Sequence, residues 1–127
     1  MDPALRVMLV DDSKTMRNIQ RTMLTQLGVV DIEEAQDGQD ALSKIGAFRP
    51  GLVLVDWNMP TMDGLTFVKA VRGRGMTMPI IMVTTEAEKT KVIAAIRAGV
   101  NNYVIKPFTP EALAARIEET LVKCAAA

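Results

Sequence analysis

The chain has no histidine, one cysteine (Cys124), one tryptophan and one tyrosine among its 127 residues. Without histidine there is no Ser-His-Asp or Cys-His catalysis and no imidazole metal ligand. A lone cysteine excludes an internal disulfide and a thiolate zinc site. Net charge is lacking too: fifteen basic residues meet fifteen acidic ones, so there is no electrostatic footprint for nucleic acid or an anionic membrane surface. Long apolar runs are also missing. Stretches such as Leu52–Val55 and Ile80–Val83 are strand-sized, far below the roughly 20 residues of a membrane span. The N-terminus has neither the basic start nor the apolar stretch of a secretory signal, and one cysteine suits a reducing compartment, so a cytoplasmic protein is expected. Cys124-Ala125-Ala126-Ala127 formally matches a prenylation signal, but only Lys123 accompanies it, and a frayed helix end is the better reading. Carboxylates, hydroxyls, amides and lysine are left to carry any chemistry.

What is present reads as one soluble domain over residues 1–127, with 49% hydrophobic and 24% charged residues. Five short apolar runs recur, at Leu5–Val10, Leu52–Val55, Pro79–Thr84 and Tyr103–Ile105, with a weaker one at Val30–Ala35. They are continuous rather than alternating, as expected of strands buried on both faces of a parallel sheet. Helical patterns lie between them. Met16, Ile19, Met23, Leu24 and Leu27 share one face, closed by Gly28. A second helix is expected over Gly38–Ile45, with Asp37 as N-cap and a stop near Gly46. A third follows Asp63-Gly64 and turns Leu65, Val68 and Val71 inward; a fourth spans Lys89–Ala98 and closes at Gly99. The last opens at Thr109-Pro110-Glu111 and carries Leu113, Ile117 and Leu121. Strand-helix alternation of this kind predicts a doubly wound α/β domain with helices on both faces of the sheet.

In such sheets the ligand site lies beyond the carboxyl ends of the strands. There the chain places Asp11-Asp12, Asp56, Thr84-Thr85 and Lys106. Any one of them is explicable as a surface or capping residue, and Asp12 before Ser13 could be a helix cap alone. Four of five strand ends carrying such groups together is harder to explain that way. Clustered carboxylates repel unless a cation sits among them, and an oxygen-only ligand set favours a hard ion such as Mg²⁺. A lysine supplies a point charge for a phosphoryl oxygen, and a threonine supplies a further donor. This inventory suits phosphoryl transfer, in which an aspartate can itself be the nucleophile. Asp56, at the end of the central run, is the candidate.

Leu9-Val10-Asp11-Asp12-Ser13, Val53-Leu54-Val55-Asp56-Trp57-Asn58-Met59-Pro60, Met62-Asp63-Gly64, Val83-Thr84 and Lys106-Pro107-Phe108 together resemble the receiver domain of two-component response regulators. The likeness covers essentially the whole chain. Asp-Trp-Asn-Met-Pro and the segment from Asn102 to Thr109 resemble the stand-alone chemotaxis regulators within that family. The resemblance implies a five-stranded parallel sheet in the flavodoxin-like order 2-1-3-4-5. It also implies that Asp56 accepts a phosphoryl group from a histidine kinase, with Mg²⁺ held by Asp11, Asp12, Asp56 and the main-chain carbonyl of Asn58. Lys106 would pair with the phosphoryl group, the Lys106-Pro107 bond would be cis, and Thr84 and Tyr103 would form the switch. Asn58 and Glu86 resemble positions that tune the lifetime of the phosphate. Such a domain is no enzyme in its own right, although it assists its own phosphotransfer and autodephosphorylation.

The implied product is a monomeric switch without an output domain, signalling by protein docking to a target such as a flagellar motor switch component, with a phosphatase as a further partner. A phosphorelay intermediate or a phosphate sink would use the same site. From another class, an Mg²⁺-dependent aspartate-nucleophile phosphohydrolase would need a second Asp two residues after the nucleophile, where this chain has Asn58. A plain Mg²⁺-binding structural domain is the third reading. Tyr103 and Trp57 also have a packing explanation, and the charges of Lys89, Lys91 and Arg97 are explicable as a solvated face.

Overall fold

The computed structural model describes residues 1–85 and 90–126. Five strands alternate with five helices: β1 (Arg6–Val10), α1 (Lys14–Gln26), β2 (Asp31–Ala35), α2 (Gly38–Phe48), β3 (Leu52–Asp56), α3 (Gly64–Gly73), β4 (Ile80–Thr85), α4 (Val92–Ala98), β5 (Asn102–Lys106) and α5 (Pro110–Ala126). All pairings are parallel, in the order β2-β1-β3-β4-β5. This is the expected doubly wound topology.

The continuous apolar runs have a direct explanation. Successive strand residues point to opposite faces, and here both faces are covered. Val7, Leu9, Leu52, Leu54, Ile81 and Val83 join Leu24, Leu113 and Ile117 in one core. Met8, Val10, Val53, Val55, Ile80 and Met82 join Ala41, Ile45, Phe67, Val68 and Val71 in the other. Each fully buried aliphatic side chain contributes about 1.5–3 kcal/mol.

The helix boundaries depart from the sequence reading in instructive ways. Ser13, not Asp12, caps α1, its hydroxyl accepting from the Met16 N–H at 3.1 Å. That frees the Asp12 carboxylate from the structural role it could have had. Ile19 was expected to face inward, yet it is 43% exposed while polar Gln20 is buried. The inward stripe of α1 is thus rotated from the expected one. Asp37 caps α2 as expected, but Gly46 does not end it. The helix runs on to Phe48 and closes at Arg49, held left-handed at φ 55°, just before Pro50. Phe48 packs against the core, and the bar that proline places on further helix makes this the stop. In α3 it is Phe67, rather than Leu65, that is fully buried with Val68 and Val71. Leu65 packs at the margin. The fourth helix begins at Val92, and Lys89 lies outside the described residues. Thr109 caps α5, its Oγ1 accepting from the Ala112 N–H at 3.1 Å. Cys124 is half-buried within that helix. No described helix is long and apolar enough to cross a membrane.

Candidate functional site

Because every strand runs the same way, every C-terminal end meets at one edge. Asp11 directly follows β1, Asp56 closes β3, Thr85 closes β4 and Lys106 closes β5. Asp11, Asp12 and Asp56 each place a carboxylate oxygen within 4.8 Å of the others. Lys106 reaches across β4 to bring Nζ within 2.9 Å of Asp56 Oδ1. Asp11 and Asp56 are buried while Asp12 is exposed, so the cluster opens outward on the Asp12 side. There it borders an open cleft of about 410 Å³ lined by Asp12, Trp57, Asn58, Met59, Pro60 and Asp63, with Lys91 at its rim.

Local backbone bonds build this geometry. The Asp11 N–H donates to the Ala35 carbonyl at 3.1 Å, which continues the β1–β2 ladder beyond the last strand residue. Trp57 N–H donates to the Val83 carbonyl at 3.1 Å, and Gly64 N–H donates to the Trp57 carbonyl at 2.9 Å. The second bond draws the start of α3 tightly against the end of β3. A Cβ at position 64 would overlap the Asp56 carbonyl oxygen and press on Met82 Sδ and Trp57 Cα at 3.1 Å each. Only glycine fits there. Asp63 is occupied as the α3 N-cap, accepting from the Thr66 N–H at 2.8 Å. It lines the cleft but is spent on the helix.

Burial pushes the Asp11 carboxyl up to about 6, and the negative charges of Asp56 and Asp12 push the same way. The Ser13 N–H and the Lys106 ammonium oppose them. Asp11 Oδ1 accepts from the Ser13 N–H at 2.9 Å, whereas Asp11 Oδ2 is buried without a hydrogen-bond partner among the described residues. An orphaned buried oxygen costs about 1–3 kcal/mol unless something satisfies it. Beside two further carboxylates, the fitting partner is a small hard cation with oxygen ligands, and Mg²⁺ meets that description. The donor set fits the group that the sequence implied.

Thr84 is fully buried at the penultimate position of β4, its Oγ1 turned toward the Thr85 carbonyl at a long 3.4 Å. In the register Thr84 faces Ile105, and Thr85 faces Lys106. Asn58 is exposed in the cleft. The Lys106-Pro107 bond is cis. Tyr103 is not part of the cluster. It lies three residues upstream of Lys106, about 10 Å along the strand, half-buried against the core, with the Arg116 guanidinium 5.1 Å from its ring centroid. Trp57 is buried, and Lys91 Nζ lies 5.8 Å from its ring centroid. Glu86 lies outside the described residues.

Residues 7–118 match the family described as the response regulator receiver domain. The chain belongs to that family. Over 120 residues it is 48% identical to the Helicobacter pylori chemotaxis protein CheY1, covering 92% of this chain and 97% of that one. It is 48% identical to the Campylobacter jejuni chemotaxis protein CheY homolog, covering 92% of each. Among solved structures, Vibrio cholerae CheY4 superposes with a TM-score of 0.85 at 36% identity, covering 91% of this chain and 98% of that one. The receiver domain of Brucella abortus NtrX gives 0.84 at 26% identity, covering 91% and 97%. The receiver family to which the chain belongs is a class of two-component phosphoacceptor switches.

Gly64, which opens α3 against the end of β3, has no role assigned from the sequence; an Asp-Gly pair opening a helix directly after a candidate strand end was the available signal.

Proposed function

We propose that this receiver is a chemotaxis switch, phosphorylated on Asp56 by a histidine kinase and read by a flagellar motor switch component through protein docking. The observation that carries the reading is the Lys106–Asp56 contact of 2.9 Å beside the Asp11-Asp12-Asp56 carboxylate cluster. The likeness to chemotaxis proteins supports an output by docking to a partner protein.

In this reading Mg²⁺ would be held by Asp11, Asp12, Asp56 and the Asn58 carbonyl, and when bound it would neutralise charge on the phosphoryl oxygens. Asp56 supplies the nucleophile. One carboxylate oxygen forms the bond to phosphorus as the bond from phosphorus to the donor nitrogen breaks, and the imidazole leaves with that electron pair. Lys106 follows the charge from the carboxylate to the phosphoryl group. Thr84, one residue from the end of β4, offers its hydroxyl to a phosphoryl oxygen. A group of about −1.5 to −2 charge thereby gains two new partners. Movement of Thr84 and a rotamer change of Tyr103 carry the event to the α4–β5–α5 face. Water entering past Asn58 ends the signal by autodephosphorylation, which a phosphatase would accelerate.

The test uses a purified phosphorylated chemotaxis kinase and the motor switch component. Phosphoryl transfer to the chain should require Mg²⁺, and the phosphorylated chain should bind the target more tightly. Thr84→Ala and Tyr103→Ala should accept the phosphoryl group yet lose about tenfold of that gain, a coupling near 1.4 kcal/mol. Equal target binding by phosphorylated wild type and both variants would refute the switch.

A further inference from the structure

Asp11 is held on three sides. Its N–H and Oδ1 have the partners given above, and its carbonyl accepts from Arg17 Nη1 at 2.6 Å. That carbonyl belongs to the peptide joining Asp11 to Asp12, so whatever fixes it fixes the plane from which both carboxylates depart. Arg17 sits one turn into α1, and its side chain is only 14% exposed. Its Nε donates to Glu34 Oε1 on β2 at 2.9 Å. The other Glu34 oxygen, Oε2, accepts from Arg21 Nε at 2.7 Å, and Arg21 Nη2 reaches the Ile32 carbonyl at 3.2 Å. Burial works against the charge on Glu34, but the hydrogen bonds from Arg21 and Arg17 outweigh it and hold the carboxyl below its usual range. Glu34 is therefore ionised and clamped, and it aims the Arg17 guanidinium at the Asp11 carbonyl.

We propose that Arg17, oriented by Glu34, is the positioning residue of the divalent-cation site: it locks the Asp11-Asp12 peptide so that the Asp11 and Asp12 carboxylates converge with that of Asp56. This rests on the Mg²⁺ reading above. The planar fork matters as much as the charge. One guanidinium can donate through Nε to Glu34 and through Nη1 to Asp11 at fixed separation, a geometry that a lysine ammonium cannot reproduce. Outer-shell partners of metal ligands typically alter affinity by 10–100-fold, which sets the scale expected here.

Mg²⁺ titration of the full chain, followed by the fluorescence of Trp57 in the cleft wall, tests this directly. Arg17→Ala should weaken Mg²⁺ binding about tenfold, and Arg17→Lys should recover little of it. Arg21→Ala is the matched control, since it removes an equivalent bond to Glu34 without touching Asp11. It should lower the melting temperature of the metal-free protein, as Arg17→Ala does, but keep Mg²⁺ affinity within twofold of wild type. Wild-type affinity in Arg17→Ala, or full rescue by Arg17→Lys, would overturn the positioning role while leaving the site standing. Failure of the wild type itself to bind Mg²⁺ would overturn the site reading, and this inference with it.

Discussion

Lys106 on the edge strand β5 and Asp56 on the central strand β3 form an ion pair of 2.9 Å across the end of the intervening strand. The pair is mostly shielded, with Asp56 7% and Lys106 21% exposed by side chain. It places one positive charge against three negative ones, leaving the cluster anionic. A cation entering the site meets attraction from the carboxylates and repulsion from the lysine.

That balance gives a prediction of opposite signs for two properties. Lys106→Ala should slow phosphorylation by a small acyl phosphate, since the charge that follows the phosphoryl group is gone. It should also tighten Mg²⁺ binding several-fold, because a repulsion of about 1 kcal/mol is removed. Rates and Mg²⁺ titrations on the same preparation check both. A loss of Mg²⁺ affinity in this variant would contradict the arrangement.

The Asp11 carboxyl predicts how stability depends on pH. Its folded value of about 6 lies above the ordinary 3.8, with burial the main cause. Below the lower value both states hold the proton and the group carries no penalty. Between the two, the unfolded chain releases the proton that the folded chain retains, so stability falls as pH rises. Above about pH 6 the whole penalty is present, at most about 3 kcal/mol and nearer 1–2 after solvent screening. Metal-free Asp11→Asn should therefore be more stable than wild type at pH 7.5, with the gap closing toward pH 4. Mg²⁺ should raise the melting temperature of wild type but not of the variant. Denaturant melts across pH measure this; a gap independent of pH would refute it.

Gly64 sets helix propensity against packing. Alanine at an exposed helix position gains about 1 kcal/mol over glycine, but here the added methyl meets the Asp56 carbonyl. Overpacking of that kind costs about 1–3 kcal/mol, so Gly64→Ala should be destabilised and slower to accept a phosphoryl group at Asp56. Urea unfolding and phosphorylation rates read the outcome, and a stabilised variant would show that α3 is free to retreat.

Residues placed by local pattern can be read from the sequence, and residues placed by tertiary contact cannot. Strand positions were clear because Leu52–Val55 and Ile80–Val83 are apolar on both faces, and a parallel sheet then forces Asp11, Asp56, Thr84 and Lys106 to one edge. Helix ends set by side-chain caps, at Asp37 and Thr109, were equally clear. Those set by tertiary contact were not: α2 passes Gly46 because Phe48 finds a place against the core. The inward face of α1 was misjudged because Ile19 is left outside and Gln20 taken in. Arg17 was invisible because its partner Glu34 lies on β2, and only the pairing of β1 with β2 brings the two together.

The proposed role of Asp56 as phosphoacceptor is tested by incubating the chain with acetyl phosphate and Mg²⁺ and measuring intact mass. One added phosphoryl group per chain is expected, stable in acid, labile in base, dependent on Mg²⁺ and absent from Asp56→Asn. A phosphoryl group of the same lability persisting in Asp56→Asn would contradict that role.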